Sequence, residues 1–166
     1  MQEHSVYSGI LKKVKKLLKA AQRFAKKIGI NNISQPGIVK EMIMADILGH
    51  KLNPVKKQHD AQDPNDSNIT YEHLSCLEGK SFQFDRVDEK NLNDKVLRNK
   101  YVYCAVFDKE ELLEVLRIYK LNPLPLYHNL LEKYRRSSAS SRRVGITEKE
   151  IVENNFGELV YSKRSE

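Results

Sequence analysis

The sequence has no tryptophan, only two cysteines, and no acidic residue between Glu3 and Glu41. Two thiols, Cys76 and Cys104, exclude a four-thiolate zinc site and a disulfide framework, and both read as small core residues. No stretch approaches the roughly 18 consecutive apolar residues needed to span a bilayer. The first helical stretch carries lysines where a secretory signal would have its apolar core. Gly-rich phosphate loops, a Gly-x-Ser-x-Gly elbow and internal repeats are missing, and His50, His59, His73 and His128 show no His-x-x-x-His spacing. These absences point to a cytoplasmic protein with no membrane partner and no stapled scaffold. A chain of 166 residues, 40% hydrophobic and 31% charged, suits one domain spanning 1–166.

The charge that is present is unevenly placed. Residues 1–40 hold nine basic groups against one acid, residues 41–94 six against eleven, and residues 95–166 fourteen against ten. An acidic centre between basic flanks suits a protein whose basic surfaces hold a phosphate backbone while grouped carboxylates hold a cation. A solubilising surface with chance segregation would produce the same totals.

Residues 5–28 repeat apolar side chains at helical steps, and Lys12, Lys13, Lys15, Lys16, Lys19, Arg23, Lys26 and Lys27 fill much of the rest. Such a run is either a solvated face or a surface for phosphates or a partner. A second, buried helix follows, with Ser34 as N-cap, Pro36 early in it and Gly49 after its end. It carries Glu41 within an apolar stretch. The core spans about 34–134. The pattern predicts an antiparallel meander of strands at 55–61, 69–76 and 81–87, then a short helix at 91–98. Tyr101–Phe107 reads as a strand covered on both faces, and 110–119 and 126–134 as helices. Residues 135–145, rich in Ser and Arg, read as a mobile basic loop. A C-terminal helix opens with the Thr147/Glu150 capping box and a short strand closes the pattern, within 146–161.

Glu41, Asp60 and Glu72 fall on helix, strand and strand. Neighbouring antiparallel strands bring Asp60 and Glu72 to one end of a hairpin, where Glu41 can close a three-carboxylate cluster. Hard oxygen ligands of this kind hold Mg²⁺ while leaving it several waters. Taken singly, Asp60 reads equally as a turn-capping group and Glu72 as a solvated strand position.

The stretch His59-Asp60-Ala61-Gln62-Asp63, a turn, and Tyr71-Glu72-His73-Leu74-Ser75-Cys76 resembles the core of PD-(D/E)XK nucleases of the type II restriction endonuclease kind. In that group an Asp on one strand is followed by Glu-x-Lys on the next, and the preceding helix often supplies a further Glu, here Glu41. Gly79-Lys80-Ser81-Phe82-Gln83-Phe84-Asp85-Arg86 is similar to the third strand of such enzymes. The resemblance implies an α/β fold, a restriction-endonuclease-like central mixed sheet with an antiparallel meander flanked by helices. It also implies Mg²⁺-dependent hydrolysis of double-stranded DNA, with Mn²⁺ as an alternative ion and a homodimer matching two-fold DNA sites. Asp60, Glu72 and Glu41 would be the metal ligands. Lys12, Lys13, Lys15, Lys16, Lys19, Arg23, Arg135, Arg136, Arg142 and Arg143 would face phosphates.

One position departs from the motif: Leu74 stands where the family has lysine. Three readings remain open. Lys80 or Gln83 takes over the catalytic role of the lysine; His73 acts as base, although strand alternation turns it away from Glu72; or the fold is kept as a DNA-binding or assembly module without cleavage.

Overall fold

The lysine-rich opening winds into one long helix, α1 (Gln2–Lys27), in the computed structural model, which describes residues 2–34, 37–53, 59–85, 87–137 and 143–163, with side chains from Lys13 onward. The helix ends where Gly29 takes a φ of 86°, open to glycine without a Cβ clash. Ile30 N–H then reaches back to the Ala25 carbonyl at 3.0 Å. Gln22 fastens the following turn: its Nε2 donates to the carbonyls of Ile30 and Asn31, and its Oε1 accepts from Ile33 N–H at 2.8 Å. Residues 1–39 and 40–166 form two compact units.

Helix α2 (Ile38–Leu48) begins four positions after Ser34, which sits in a turn rather than at a cap; Pro36 lies outside the described residues. Its end is set by Gly49, at φ 68°, and by His50 N–H bonding the Ala45 carbonyl at 2.9 Å.

In the larger unit, β1 (Lys51–Leu52), β2 (Ala61–Gln62) and β3 (Thr70–Leu77) form an antiparallel meander. Most of the predicted 55–61 strand lies outside the described residues. A turn with Gly79 at φ 75° leads to β4 (Ser81–Asp85). This strand is not the third member of the meander, as the sequence suggested. It leaves the sheet because the free edge of β3 is taken by a later strand. The crossover is α3 (Glu89–Val96), opened by a reciprocal Asp88–Asn91 capping box. It returns the chain as β5 (Tyr101–Phe107), parallel to β3 with Glu72 opposite Val102. Every β5 residue after Tyr101 is buried, so the strand is central and covered on both faces.

The segment read as a helix at 110–119 is a turn followed by β6 (Val115–Leu121), antiparallel to β5. The Asp108 carboxylate accepts from Glu110 N–H at 2.7 Å and Glu111 N–H at 3.0 Å, tightening the turn. Val-Leu-Arg-Ile-Tyr-Lys-Leu then pairs along β5, where burial of Val115, Ile118 and Leu121 outweighs the local helical spacing. Helix α4 (Pro123–Arg136) is capped by Asn122, with proline at its first position. β7 (Arg143–Thr147) pairs antiparallel with β4 in a separate two-stranded sheet. Thr147 and Glu150 form the capping box of α5 (Glu148–Glu153), and β8 (Gly157–Ser162) completes the main sheet.

The chain is thus α/β, with a six-stranded mixed sheet ordered β1-β2-β3-β5-β6-β8 and β3–β5 as its parallel pair. The two faces carry separate cores. One gathers Val102, Cys104 and Val106 with Leu92, Val96, Leu126, Leu130 and the β4/β7 side chains Phe82, Phe84, Val144 and Ile146. The other gathers Tyr71, Tyr103, Ala105 and Phe107 with Met44, and with Ile43, Ile47 and Leu48 of α2. Strand alternation therefore sends Glu72, Leu74 and Cys76 to the first face and Tyr71 and His73 to the second. Among the described residues no helix is long and apolar enough to cross a membrane.

Candidate functional site

The meander fixes Asp60 by its backbone before its side chain does anything. Asp60 N–H donates to the Tyr71 carbonyl at 3.2 Å, and the Asp60 carbonyl accepts from Asn53 N–H at 2.8 Å. Its Oδ2 then accepts from His73 N–H at 3.0 Å. Held by the peptide that follows Glu72, the Asp60 carboxylate stands beside that residue. Glu41, 8% exposed, is buried and comes from α2.

The electrostatics of Glu72 show that the three carboxylates share one neighbourhood. Burial and then the Asp60 charge push its pKa well above the usual carboxylate range, and Glu41 adds to the push. Lys95 and, less strongly, Arg98 pull against it. A carboxyl group that ionises only against two neighbouring negative charges has the donor chemistry that a hard divalent cation relieves. Glu72, Asp60 and Glu41 are the residues that would hold such an ion. Among the described residues, no group of three or more His, Cys, Asp or Glu is placed to hold a metal ion between them. Mg²⁺ is ordinarily held by one or two carboxylates, waters and substrate phosphate rather than by an all-protein cage.

The other residues singled out from the sequence are placed as follows. Lys80 is exposed in the turn after β3, where its N–H bonds the Leu77 carbonyl at 2.9 Å. The run from Glu72 to Leu77 alone covers about 16 Å of strand, which leaves Lys80 at the opposite end of β3 from Glu72. Gln83 is exposed on β4, with its amide on the Ser81 hydroxyl. Leu74 packs against the core of the first face. Lys13, Lys15, Lys16, Lys19 and Arg23 are exposed on α1, while the side chain of Lys12 and all of Arg142 lie outside the described residues. Arg135 bonds Glu89 at 2.7 Å, Arg136 pairs with Glu132, and Arg143 pairs with Asp85 at 2.6 Å. The thiols are inert: burial pushes Cys76 up to about 12 and Cys104 well above the ordinary thiol range.

Comparison with protein-family models gives no match, and comparison with curated proteins gives none either.

Of two further sets of residues, the sequence reading named only His73, as a candidate base, and passed over His50, Lys95 and Arg98. On the second face, His50 Nδ1 and His73 Nε2 lie 3.1 Å apart. The His50 ring stacks on Tyr71 at 4.1 Å between centroids and meets Tyr103 edge-on at 4.8 Å. Burial holds His50 down at about 4 against the pull of Asp63, and burial together with His50 holds His73 at about 3. Both rings are therefore neutral at pH 7. On the first face, Lys95 and Arg98 lie at and just beyond the end of α3. Their signal in the sequence was a pair of cations three apart immediately before the most apolar strand.

Proposed function

We propose that this chain is a metal-dependent endonuclease that hydrolyses phosphodiesters in double-stranded DNA, of the restriction-endonuclease-like kind. The observation that carries this reading is the meeting of Glu41, Asp60 and Glu72 in one electrostatic neighbourhood at one end of β3, with Lys95 and Arg98 beside them. The order of elements adds support: helix with Glu41, meander with Asp60 and Glu72, short helix, and apolar strand.

Asp60 and Glu72 would hold Mg²⁺, with Mn²⁺ as a substitute, and Glu41 would join directly or through water. When bound, the ion polarises a phosphate and lowers the pKa of water. The protein's own contribution is positional. The His73 N–H fixes one Asp60 oxygen, so that carboxylate does not rotate out of place. The lysines of α1 supply sequence-independent attraction to the phosphate backbone. One protomer carries one such site and cuts one strand, so both strands call for a homodimer.

The test incubates purified protein with varied duplex DNA and Mg²⁺, Mn²⁺ or EDTA, beside Glu72→Ala and Asp60→Ala. Metal-dependent cutting lost in both variants is the expected result. Cutting that survives both substitutions overturns the site. Leu74, built into the core rather than the site, favours a second reading, a DNA-binding or assembly module, which predicts binding without cutting under every metal.

A further inference from the structure

We propose that Lys95 and Arg98, at the end of the α3 crossover, contact the scissile phosphate and supply the positive charge that Leu74 cannot. This rests on the reading of the carboxylates as a phosphodiester-cleaving site and names the cationic half of that site.

The placement follows from the crossover. A parallel β3-α3-β5 unit must bring the chain back to the end of the sheet where β3 began. The hydrogen bond from Lys100 N–H to the Thr70 carbonyl, 2.8 Å, fastens that return two residues from Glu72. Asn99, 3% exposed, locks the end of α3 by donating from Nδ2 to the Lys95 carbonyl at 2.7 Å. Lys95 and Arg98 are thereby presented three apart on a braced segment rather than on a loose loop. One of the three ammonium donors of Lys95 goes to the Asp85 carbonyl at 2.7 Å, which aims the side chain. Leu92 and Val96 of α3 pack in the core of the first face, the face to which strand alternation sends Glu72, so the crossover runs on the Glu72 side of the sheet.

The chemistry needs them. A phosphodiester is an anion, and three carboxylates repel it. During hydrolysis the water oxygen bonds to phosphorus as one phosphorus–oxygen ester bond breaks. The water proton leaves to solvent, the departing alkoxide takes a proton from solvent, and nothing is oxidised or reduced. Charge on the phosphoryl oxygens rises as the bonds exchange, and an ammonium and a guanidinium stabilise it directly. Lys80 sits in the turn at the other end of β3, and the Gln83 amide is exposed on β4 with its bond to Ser81.

The experiment compares wild type with Lys95→Met, Arg98→Met and the conservative Lys95→Arg and Arg98→Lys. It measures single-turnover cleavage with Mg²⁺, and duplex binding in EDTA at several salt concentrations. Circular dichroism melting checks the fold, and Arg98→Lys replaces Arg98→Met should the latter melt early. Expected are a cleavage rate ~100-fold lower for Lys95→Met, recovery of much of that loss in Lys95→Arg, and a log–log salt slope shallower by ~0.9 for each methionine variant. Wild-type cutting that both methionine variants match in rate and slope overturns this inference and leaves the nuclease reading standing. Wild-type binding without cutting overturns the nuclease reading instead, and the salt slope alone then decides for or against the two cations. A wild type that does not bind DNA overturns both.

Discussion

His50 and His73 share one hydrogen bond between ring nitrogens, so one ring donates and the other accepts, and a second proton between the two nitrogens would face the first. The folded protein keeps His50 neutral down to about 4, against an ordinary histidine value of 6.5. The unfolded chain therefore takes up its proton first as pH falls, and stability drops between roughly 6.5 and 4. Glu72 acts in the opposite sense. Its folded pKa is raised, so its contribution to stability is present at low pH and lost as pH rises through that value. The histidine effect is read cleanly as a difference between proteins. His50→Gln keeps a hydrogen-bonding partner for His73 and loses the titration. Its stability deficit relative to wild type, from urea midpoints, should shrink by about 1 kcal/mol between pH 7 and pH 5, after allowing for partial solvent screening of His50. A deficit constant across that range would show that His50 does not titrate with folding.

At the scale of elements, close backbone approach decides which substitutions the sheet tolerates. A Cβ at Gly157 would lie 2.0 Å from the Lys120 carbonyl oxygen and 2.7 Å from Leu121 Cα, both backbone atoms of β6 that cannot rotate aside. Gly79 is the contrast: φ 75° and nothing within 4 Å of an added Cβ. Gly157→Ala should cost about 3 kcal/mol or more by forcing β8 off β6. Gly79→Ala should cost only the ~1–2 kcal/mol of a left-handed alanine. Chemical denaturation of the two variants gives the comparison, and equal losses would contradict it. Legibility follows the same divide between local and distant causes. The Thr147/Glu150 box and the apolar run Tyr101–Phe107 were readable because a cap and a doubly covered strand are written in adjacent residues. β6 was misread because Glu110, Glu111 and Leu113 mimic a helix until Val115–Leu121 finds β5. The departure of β4 was invisible, since it depends on β7, some sixty residues later. For the candidate site, hairpin order put Asp60 beside β3, whereas Lys95 and Arg98 arrive through a crossover whose handedness and landing point no short motif records.

At the scale of the whole molecule, the segregated charge separates cations by what neighbours them. Arg135, Arg136 and Arg143 each pair with a carboxylate, on Glu89, Glu132 and Asp85. Lys16, Lys19 and Arg23, exposed on α1, follow one another at steps of three and four residues and so form one stripe. No acidic residue occurs between Glu3 and Glu41 to share that helix with them. Binding to duplex DNA releases condensed counterions only where a protein cation replaces them at a phosphate. An arginine already neutralised by a carboxylate releases fewer, because it must first give up its partner. Replacing Lys16, Lys19 and Arg23 together with Gln should flatten the log–log salt dependence of binding by up to ~2.7, three contacts at ~0.9 each. Replacing Arg135 and Arg136 with Gln should change it by less per residue removed. Anisotropy titrations from 50 to 200 mM salt, a range used for its sensitivity to such contacts, distinguish the cases. Equal flattening per residue would place the phosphate backbone along α4 as much as α1. No flattening in the triple variant would remove α1 from the DNA-binding surface and leave its lysines for a different partner.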